Sequence, residues 1–181
     1  MGCTAVGGVV GGGRDQRMTM MLSLRPATPA DDELLFALYA STRAAELELV
    51  PWTDGQKTAF VRQQHLAQHT SYHDRHPDGQ FLVIERDGVG VGRLYRAVLD
   101  GGEIRLLDIA LLPEHCGHGI GSKLLRDLRS EADATAAMLS LHVEFWNPAL
   151  RLYQRLGFVV TGRNDVHVRM EYVPCRAGSV S

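Results

Sequence analysis

The chain has few of the features that point to nucleic acid or to a membrane. Its 181 residues carry a formal charge of −2, and aromatic residues, which are not interleaved with any basic run, make up only 7%. A nucleic-acid-binding surface needs clustered Lys and Arg, so nucleic acid is not an expected partner. No apolar run approaches the roughly 20 residues that a membrane-spanning helix needs, so no membrane partner is expected either.

Cysteine is scarce as well. The chain has three cysteines, Cys3, Cys116 and Cys175, and no two of them have the spacing of a metal site. The first residues also lack the compact apolar segment with a basic flank that marks a secretory signal. Together these absences favour a cytoplasmic protein.

The hydrophobic residues, 45% of the chain, recur in patterns typical of helices and strands. Residues 1–21 are rich in glycine and residues 174–181 are polar, so we expect two flexible tails around one domain at 22–173. Steps of three and four residues predict four helices. These are residues 28–49, 53–72, 120–132 and 147–156.

Alternating apolar residues predict strands between these helices. Turns at Arg86-Asp87-Gly88 and Asp100-Gly101-Gly102 separate three consecutive strands, which predicts an antiparallel meander. The fold class is therefore α/β, with a mixed, mostly antiparallel sheet. The predicted strands are 22–27, 81–84, 89–98, 103–112, 139–145 and two closing strands around Val159 and Val168.

The most informative segment is a glycine-punctuated turn between an apolar strand and an amphipathic helix. In it, Gly117, Gly119 and Gly121 alternate with other residues, which lets the backbone come close to a ligand. The N–H groups of a first helical turn carry about half a positive charge and favour an anion. The turn therefore predicts a phosphate cradle for a nucleotide-containing molecule. Its expected backbone contacts are Gly117, His118, Gly119, Ile120, Gly121 and Ser122.

Two segments resemble motifs of one family. The segment Ala110–Gly121 is similar to the acyl-CoA motif of the GNAT N-acetyltransferase superfamily, and Asn147–Phe158 resembles that family's second motif. The resemblance implies a sheet that is split by a cofactor wedge, with pantetheine bonded to backbone groups of the strand as a surrogate strand. The backbone residues implied are Ile109, Ala110, Leu111 and Leu112, and Asn147 is a helix cap that also reaches the cofactor arm.

The chain departs from the family at one position. The family usually has Arg or Gln where this chain has Cys116. One expected polar contributor near the cofactor is therefore absent, which bears on the affinity for CoA.

The family position of Tyr153 implies a phenol that faces the cofactor sulfur and protonates the departing thiolate. Unperturbed pKa values near 10 for tyrosine and about 8.5 for a thiol make that transfer modestly uphill. The alternative is a core tyrosine whose hydroxyl binds a carbonyl.

Asp108 is the candidate base, because burial beside Leu106 and Ala110 on one strand face would raise a carboxylate pKa. The alternative for Asp108 is an ion pair with Arg93, Arg96 or Arg105.

Other polar residues receive weaker assignments. Glu103, His142 and Glu144 could relay a proton through water, but none outranks Asp108. A zinc site formed by His65, His69 and His73 is rejected because the outer two are about 12 Å apart along a helix, so these residues are expected to border the acceptor pocket. The possible amine-recognition groups are Glu46, Glu48, Trp52 and Tyr72.

The sequence thus predicts an enzyme that moves the acetyl group of acetyl-CoA to a primary amine of a small molecule or peptide. Attack is direct, in a ternary complex, and no metal is required. The alternative is a non-catalytic acyl-CoA-binding sensor. An exposed closing strand could also pair two copies into a homodimer.

Overall fold

A computed structural model describes residues 21–174, so the predicted tails lie almost entirely outside the described residues. These residues form strands and helices in a mixed order. The elements are β1 (Leu22–Pro26), α1 (Asp32–Glu48), α2 (Asp54–Arg75), β2 (Gln80–Arg86), β3 (Val89–Val98), β4 (Ile104–Leu111), α3 (Ile120–Thr135), β5 (Leu139–Glu144), α4 (Leu150–Arg155), β6 (Val159–Arg163) and β7 (His167–Tyr172).

The strands form one seven-stranded sheet in the order β1-β2-β3-β4-β5-β7-β6. Every neighbouring pair is antiparallel except β4 and β5, which run parallel. The predicted mixed, mostly antiparallel sheet with four helices is therefore confirmed. None of the helices within residues 21–174 is long and apolar enough to cross a membrane.

Helices cover both faces of the sheet and create two hydrophobic cores. On one face α3 buries the residues that its periodicity predicts, which are Ile120, Leu124, Leu125, Leu128 and Ala132. On the other face α1 buries Leu35 and Leu38 against Tyr95 and Ala110. We call these the α3 face and the α1 face. The site described below depends on which face each residue of β4 occupies.

A β-bulge in β4 changes that assignment. Tyr95 pairs with Asp108 and Arg96 pairs with Leu106, so Leu107 is an extra residue without a partner. As a result Leu106 and Ile109 both pack on the α3 face, although residues three apart in a regular strand lie on opposite faces. The prediction that Asp108 and Leu106 share a face is wrong for this reason.

The sheet is split where β4 and β5 separate. Their parallel pairing joins only Ile104–Leu106 to Leu139–Leu141, while β4 continues to Leu111 and β5 to Glu144. On its far side β5 stays paired with β7 over its whole length. The edge of β4 beyond Leu106 therefore faces an opening, as the wedge-shaped split requires.

Candidate active site

The glycine turn owes its shape to two left-handed residues. Gly117 has φ 78° and Gly119 has φ 80°, a region that residues with a side chain rarely adopt. Gly119 is the N-cap of α3, and the helix begins at Ile120. A Cβ placed on Gly121 would meet nothing within 4 Å, so the space in front of this backbone is open. The turn can accept a close ligand without moving.

The backbone N–H groups of this turn have no acceptor among the described residues. Just before it the N–H of Cys116 donates to the Pro113 carbonyl at 3.1 Å, and just after it the N–H of Lys123 donates to Gly119 at 2.9 Å. Among residues 21–174 no backbone hydrogen bond uses the N–H groups of residues 117–122. Such a run at a helix N-terminus is suited to a phosphate group. It coincides with the range that the sequence predicts.

A cavity of about 370 Å³, here called the glycine-turn cavity, lies between this turn, β4 and α4. Most of the predicted cofactor contacts line it, but Leu112, His118, Asn147 and Tyr153 do not. Its predicted lining residues are Ile109, Ala110, Leu111, Gly117, Gly119, Ile120, Gly121 and Ser122.

Leu112 is a correction to the predicted contacts. Its N–H donates to the Val91 carbonyl at 2.9 Å, and its carbonyl accepts from the N–H of His115 at 2.9 Å. Both backbone groups are therefore used inside the protein. Because hydrogen-bonding residues alternate along an antiparallel ladder, Ala110 also faces β3, whereas Ile109 and Leu111 direct their backbone groups into the split.

Cys116, which stands where the family that the sequence resembles usually has Arg or Gln, lines the glycine-turn cavity. The sulfur of Cys116 lies 3.6 Å from the Leu112 carbonyl oxygen. Arg155, which the sequence analysis missed, lines the same cavity, and within residues 21–174 it takes part in no ion pair. Arg155 lies two residues after Tyr153 in the second motif, and this position could have suggested it. It supplies a cation to this cavity.

A second cavity of about 260 Å³, here called the split cavity, opens where β4 and β5 separate. Asp108, Asn147 and Tyr153 line it, and Ile109 lines both cavities. The remaining lining residues are mostly polar and come from several elements. They are Arg43, Gln68, Tyr72, Leu106, Leu107, Leu141, His142, Val143, Glu144 and His167.

Tyr153 is 3% exposed, yet no hydrogen bond within residues 21–174 involves its hydroxyl. The alternative of a core hydroxyl bound to a carbonyl therefore lacks its acceptor. Burial, with a smaller contribution from the Asp108 charge, raises the pKa of Tyr153 well above its usual value. The phenol stays protonated at neutral pH, and full proton transfer to a thiolate is more uphill than unperturbed values suggest.

Asp108 forms an ion pair with Arg93, with 2.6 Å between the carboxylate oxygen and the guanidinium nitrogen. The Arg93 side chain is 4% exposed and also donates to Gln68 at 3.0 Å. A buried guanidinium needs such a partner, because an unpaired buried charge is costly. The sequence leaves open whether Asp108 is an isolated buried carboxylate or is paired with an arginine, and the structure shows the ion pair. A role for Asp108 as base stays a prediction.

Asn147 lies before α4 rather than within it. Its side-chain oxygen accepts from the N–H of Ala149 at 2.9 Å, one residue before α4 begins. The predicted cap at Asn147 thus lies two residues before the N-cap of α4, which is Ala149, and Asn147 also lines the split cavity. A contact between Asn147 and a cofactor arm stays a prediction.

Some of the weaker candidates line the split cavity, and others form ion pairs instead. Glu103 is engaged by Arg105 at 2.7 Å, by Arg169 at 3.3 Å and by the Ser140 hydroxyl. His142 and Glu144 line the split cavity, and so does Tyr72. Glu46 instead pairs with Arg43 at 3.2 Å.

Trp52 lies against Phe60 with ring centroids 5.3 Å apart, and neither Trp52 nor Glu48 lines the split cavity.

The sequence predicts that the histidines of α2 border the acceptor pocket, but none of them lines the split cavity. His69 and His73 have ring centroids 4.4 Å apart and line a separate groove with Asp32 and Phe81. From the same helix Gln68 and Tyr72 reach the split cavity instead. Within residues 21–174 no group of three or more His, Cys, Asp or Glu is placed to hold a metal ion.

Comparison with known proteins finds one matching family model and several solved structures of the same fold. The model of the acetyltransferase (GNAT) domain matches residues 77–160. No curated protein matches the chain. Among solved structures, the chain is similar to the PaiA N-acetyltransferase of Thermoplasma acidophilum in complex with coenzyme A, with TM-score 0.63, 19% identity, and coverage of 85% of this chain and 99% of that one.

Two further structures have the same fold. Ard1 from Thermoplasma volcanium has TM-score 0.57 and 21% identity, with coverage of 85% of this chain and 98% of that one. The ribosomal-protein-S18-alanine N-acetyltransferase from Escherichia coli has TM-score 0.56 and 21% identity, with coverage of 89% and 99%. The matched model, the shared fold and the glycine turn agree: residues 77–160 match the acetyltransferase (GNAT) domain, and the chain has the fold of these solved N-acetyltransferases.

Proposed function

We propose that the protein transfers the acetyl group of acetyl-CoA to a primary amine of a small molecule or peptide, by direct attack in a ternary complex. The observation that carries this proposal is the run of N–H groups from Gly117 to Ser122, which have no acceptor in the described chain and border a cavity that reaches the split in the sheet. The solved PaiA N-acetyltransferase complex supports it, since that protein has this fold and binds coenzyme A.

The glycine-turn cavity would hold acetyl-CoA as a substrate. The N–H groups of residues 117–122, the Ser122 hydroxyl and the Arg155 guanidinium would bind the diphosphate. The backbone groups of Ile109 and Leu111 would bond the pantetheine amides in place of a missing strand partner. Because Ile109 lines both cavities, this path brings the thioester to the split cavity.

Tyr153 would then act as proton donor. When the amine nitrogen bonds to the thioester carbon and the carbon–sulfur bond breaks, negative charge develops on the sulfur. A protonated phenol without another partner can donate to that sulfur, first as a hydrogen bond and then as the proton of the thiol. Its raised pKa keeps the donor intact over the whole neutral range.

The split cavity would hold the acceptor amine. Asp108 lies there with its charge balanced by Arg93, a position suited to contact and orient an ammonium group. Removal of a proton from that ammonium group is the other part of the role predicted for Asp108.

A single variant tests the cradle. Gly121→Val puts a side chain into the open space in front of the turn without a strained backbone, so we expect the affinity for acetyl-CoA to fall at least tenfold with an unchanged melting temperature. Gly55→Val is the matched control, because Gly55 also lies in a first helical turn with nothing within 4 Å. Unchanged binding by Gly121→Val would refute the placement of the diphosphate.

Turnover separates the enzyme from its alternative. Calorimetry with acetyl-CoA, followed by a thiol-release screen over small amines, amino acids and peptides, should give release that depends on the amine. Tight binding with no release for any amine would favour the non-catalytic sensor.

The exposed Val159 and Val160 on the edge strand β6 support the expectation of a homodimer, which stays a prediction.

A further inference from the structure

An amine acceptor must lose a proton before it attacks, because an alkyl ammonium has a pKa near 10.4 and carries no lone pair. The acceptor of that proton has to line the split cavity. The titratable candidates there are Tyr72, Asp108, His142, Glu144 and His167. This inference rests on the proposed function and concerns which of these groups takes the proton.

Two of the candidates are occupied by other roles. Asp108 balances the buried Arg93 at 2.6 Å, so protonating it would leave that guanidinium without its counter-charge. Burial, followed by the Asp108 charge, raises the pKa of Tyr72, which keeps its phenol protonated and unable to accept. A carboxylate is in general a weaker base than an imidazole.

His142 lies at the fork between the two strands. It follows Leu141, the last residue of β5 that pairs with β4. Because Leu141 and Val143 are buried on the α3 face, His142 lies on the opposite face of β5. Asp108 lies on that same α1 face, because its cross-strand partner Tyr95 packs there. His142 is thus at the strand that borders the opening, whereas His167 is one strand further away, on β7.

The ring of His142 is available to a ligand. Among residues 21–174 no side chain or backbone group hydrogen-bonds to it, and it lines the cavity that Tyr153 also lines. Its neighbours on β4 and β7 are Arg105 and Arg169, the latter its register partner. A third positive charge beside these two arginines is disfavoured, so the resting imidazole is neutral.

The charges around His142 come from every neighbouring element. Burial first, and then Arg105, Arg169 and His167, lower the pKa of His142, while Glu103 opposes them. Part of the arginine charge is balanced, because Glu171 pairs with Arg169 and Glu103 bonds both arginines. The split cavity adds Glu144 on β5, Asp108 on β4, Tyr72 on α2, Arg43 on α1 and Tyr153 on α4.

We infer that His142 is the catalytic base, which takes a proton from the acceptor ammonium in the split cavity. The nitrogen of the resulting neutral amine bonds to the thioester carbon, the carbon–sulfur bond breaks, and the electron pair goes to sulfur. Tyr153 gives its proton to that sulfur and recovers one from the nitrogen as the amide forms. His142 then releases the first proton to water, so one amide, one thiol and one proton leave.

Removing the imidazole tests the inference with an amine that the wild type acetylates. We expect His142→Ala to lower kcat about 10²-fold at neutral pH, with the KM for acetyl-CoA unchanged. Added imidazole should restore part of the rate in proportion to its concentration. His167→Ala, a histidine of the same cavity, is the matched control and should show no rescue.

A pH profile adds a readout that a structural role would not change. Because the pKa of His142 is lowered, wild-type kcat/KM should be at its plateau at neutral pH and fall on acidification below about pH 6.5. The His142→Ala variant should lack this acid limb, and His167→Ala and Asp108→Asn should keep it.

Several results would overturn the inference. They are activity of His142→Ala within threefold of wild type, persistence of its acid limb, or loss of that limb in Asp108→Asn, which would return the role to Asp108. If the wild type turns over no amine, the proposed function fails and this inference with it. If the wild type turns over an amine and His142→Ala matches it, only the assignment of His142 fails.

Discussion

The hydroxyl of Tyr153 can be removed without touching the fold, which makes Tyr153→Phe the sharpest test of the chemistry. The ring stays buried against Phe158, with centroids 5.8 Å apart. Because the hydroxyl has no hydrogen-bond partner in residues 21–174, its loss leaves no orphaned group behind. Because the substitution breaks no hydrogen bond, it should be close to neutral for the stability of the fold. We expect the melting temperature to change by no more than about 2 °C.

The effect on rate should be large by comparison. A hydrogen bond to a charged partner is worth about 1.5–3 kcal/mol. At about 1.4 kcal/mol per tenfold, loss of that bond to the developing thiolate slows the reaction about 10- to 150-fold, before any cost of the missing proton. We therefore expect kcat of Tyr153→Phe to fall about 10²-fold while calorimetry shows unchanged affinity for acetyl-CoA.

Tyr172→Phe is the matched control for that variant. The hydroxyl of Tyr172 donates to Asp133 at 2.7 Å, and neither residue lines the glycine-turn cavity or the split cavity. Its removal should cost about 1–2 kcal/mol of unfolding free energy, which is a fall of about 3–6 °C, with kcat retained. The reasoning is refuted if Tyr153→Phe keeps kcat within threefold, or if it loses as much stability as Tyr172→Phe.

Two further predictions concern charged pairs. Arg93→Met should lower the free energy of unfolding by about 3 kcal/mol in urea, because it leaves Asp108 without its counter-charge, and adding Asp108→Asn should recover part of that loss; additive losses would contradict the pairing. The Arg25 guanidinium, and then Thr28, hold the pKa of Asp31 well below its usual range, so its stabilising contribution is present above about pH 4 and is lost as pH falls towards the folded-state pKa. The melting temperature of Asp31→Asn should therefore lie several degrees below wild type at pH 7 and approach it at low pH, and a constant difference would exclude this origin.

The features that the sequence predicts well are local ones. The inward residues of α3 follow from spacing alone, because a helix of this length repeats its buried face every three to four residues. The sequence also predicts that the N–H groups of residues 117–122 are open to a ligand, because this too depends only on local backbone geometry. Two left-handed glycines and a helix start account for the lack of an acceptor for these amides among residues 21–174.

The features that the sequence does not predict depend on which strand lies beside which. Leu112 uses its N–H on Val91, a bond set by the register of β3 against β4. The partner of Asp108 could have been any of three arginines until that register placed Arg93 on its face. Arg155 and Tyr153 reach different cavities although they are two residues apart, because α4 lies between the turn and the split. Single-sequence periodicity contains none of this pairing information.

The bulge at Leu107 connects these local and distant features. Without it, a regular β4 would place Leu106, Asp108 and Ala110 on one face, and the polar residue would compete with the hydrophobic core. The extra residue places Asp108 on the α1 face, where Arg93 is, and Ile109 on the α3 face. One strand thereby supplies a charged side chain to the split cavity and open backbone groups to the glycine-turn cavity. Because the bulge begins where β4 loses its pairing with β5, the place where the sheet opens is also the place where the two substrates would meet.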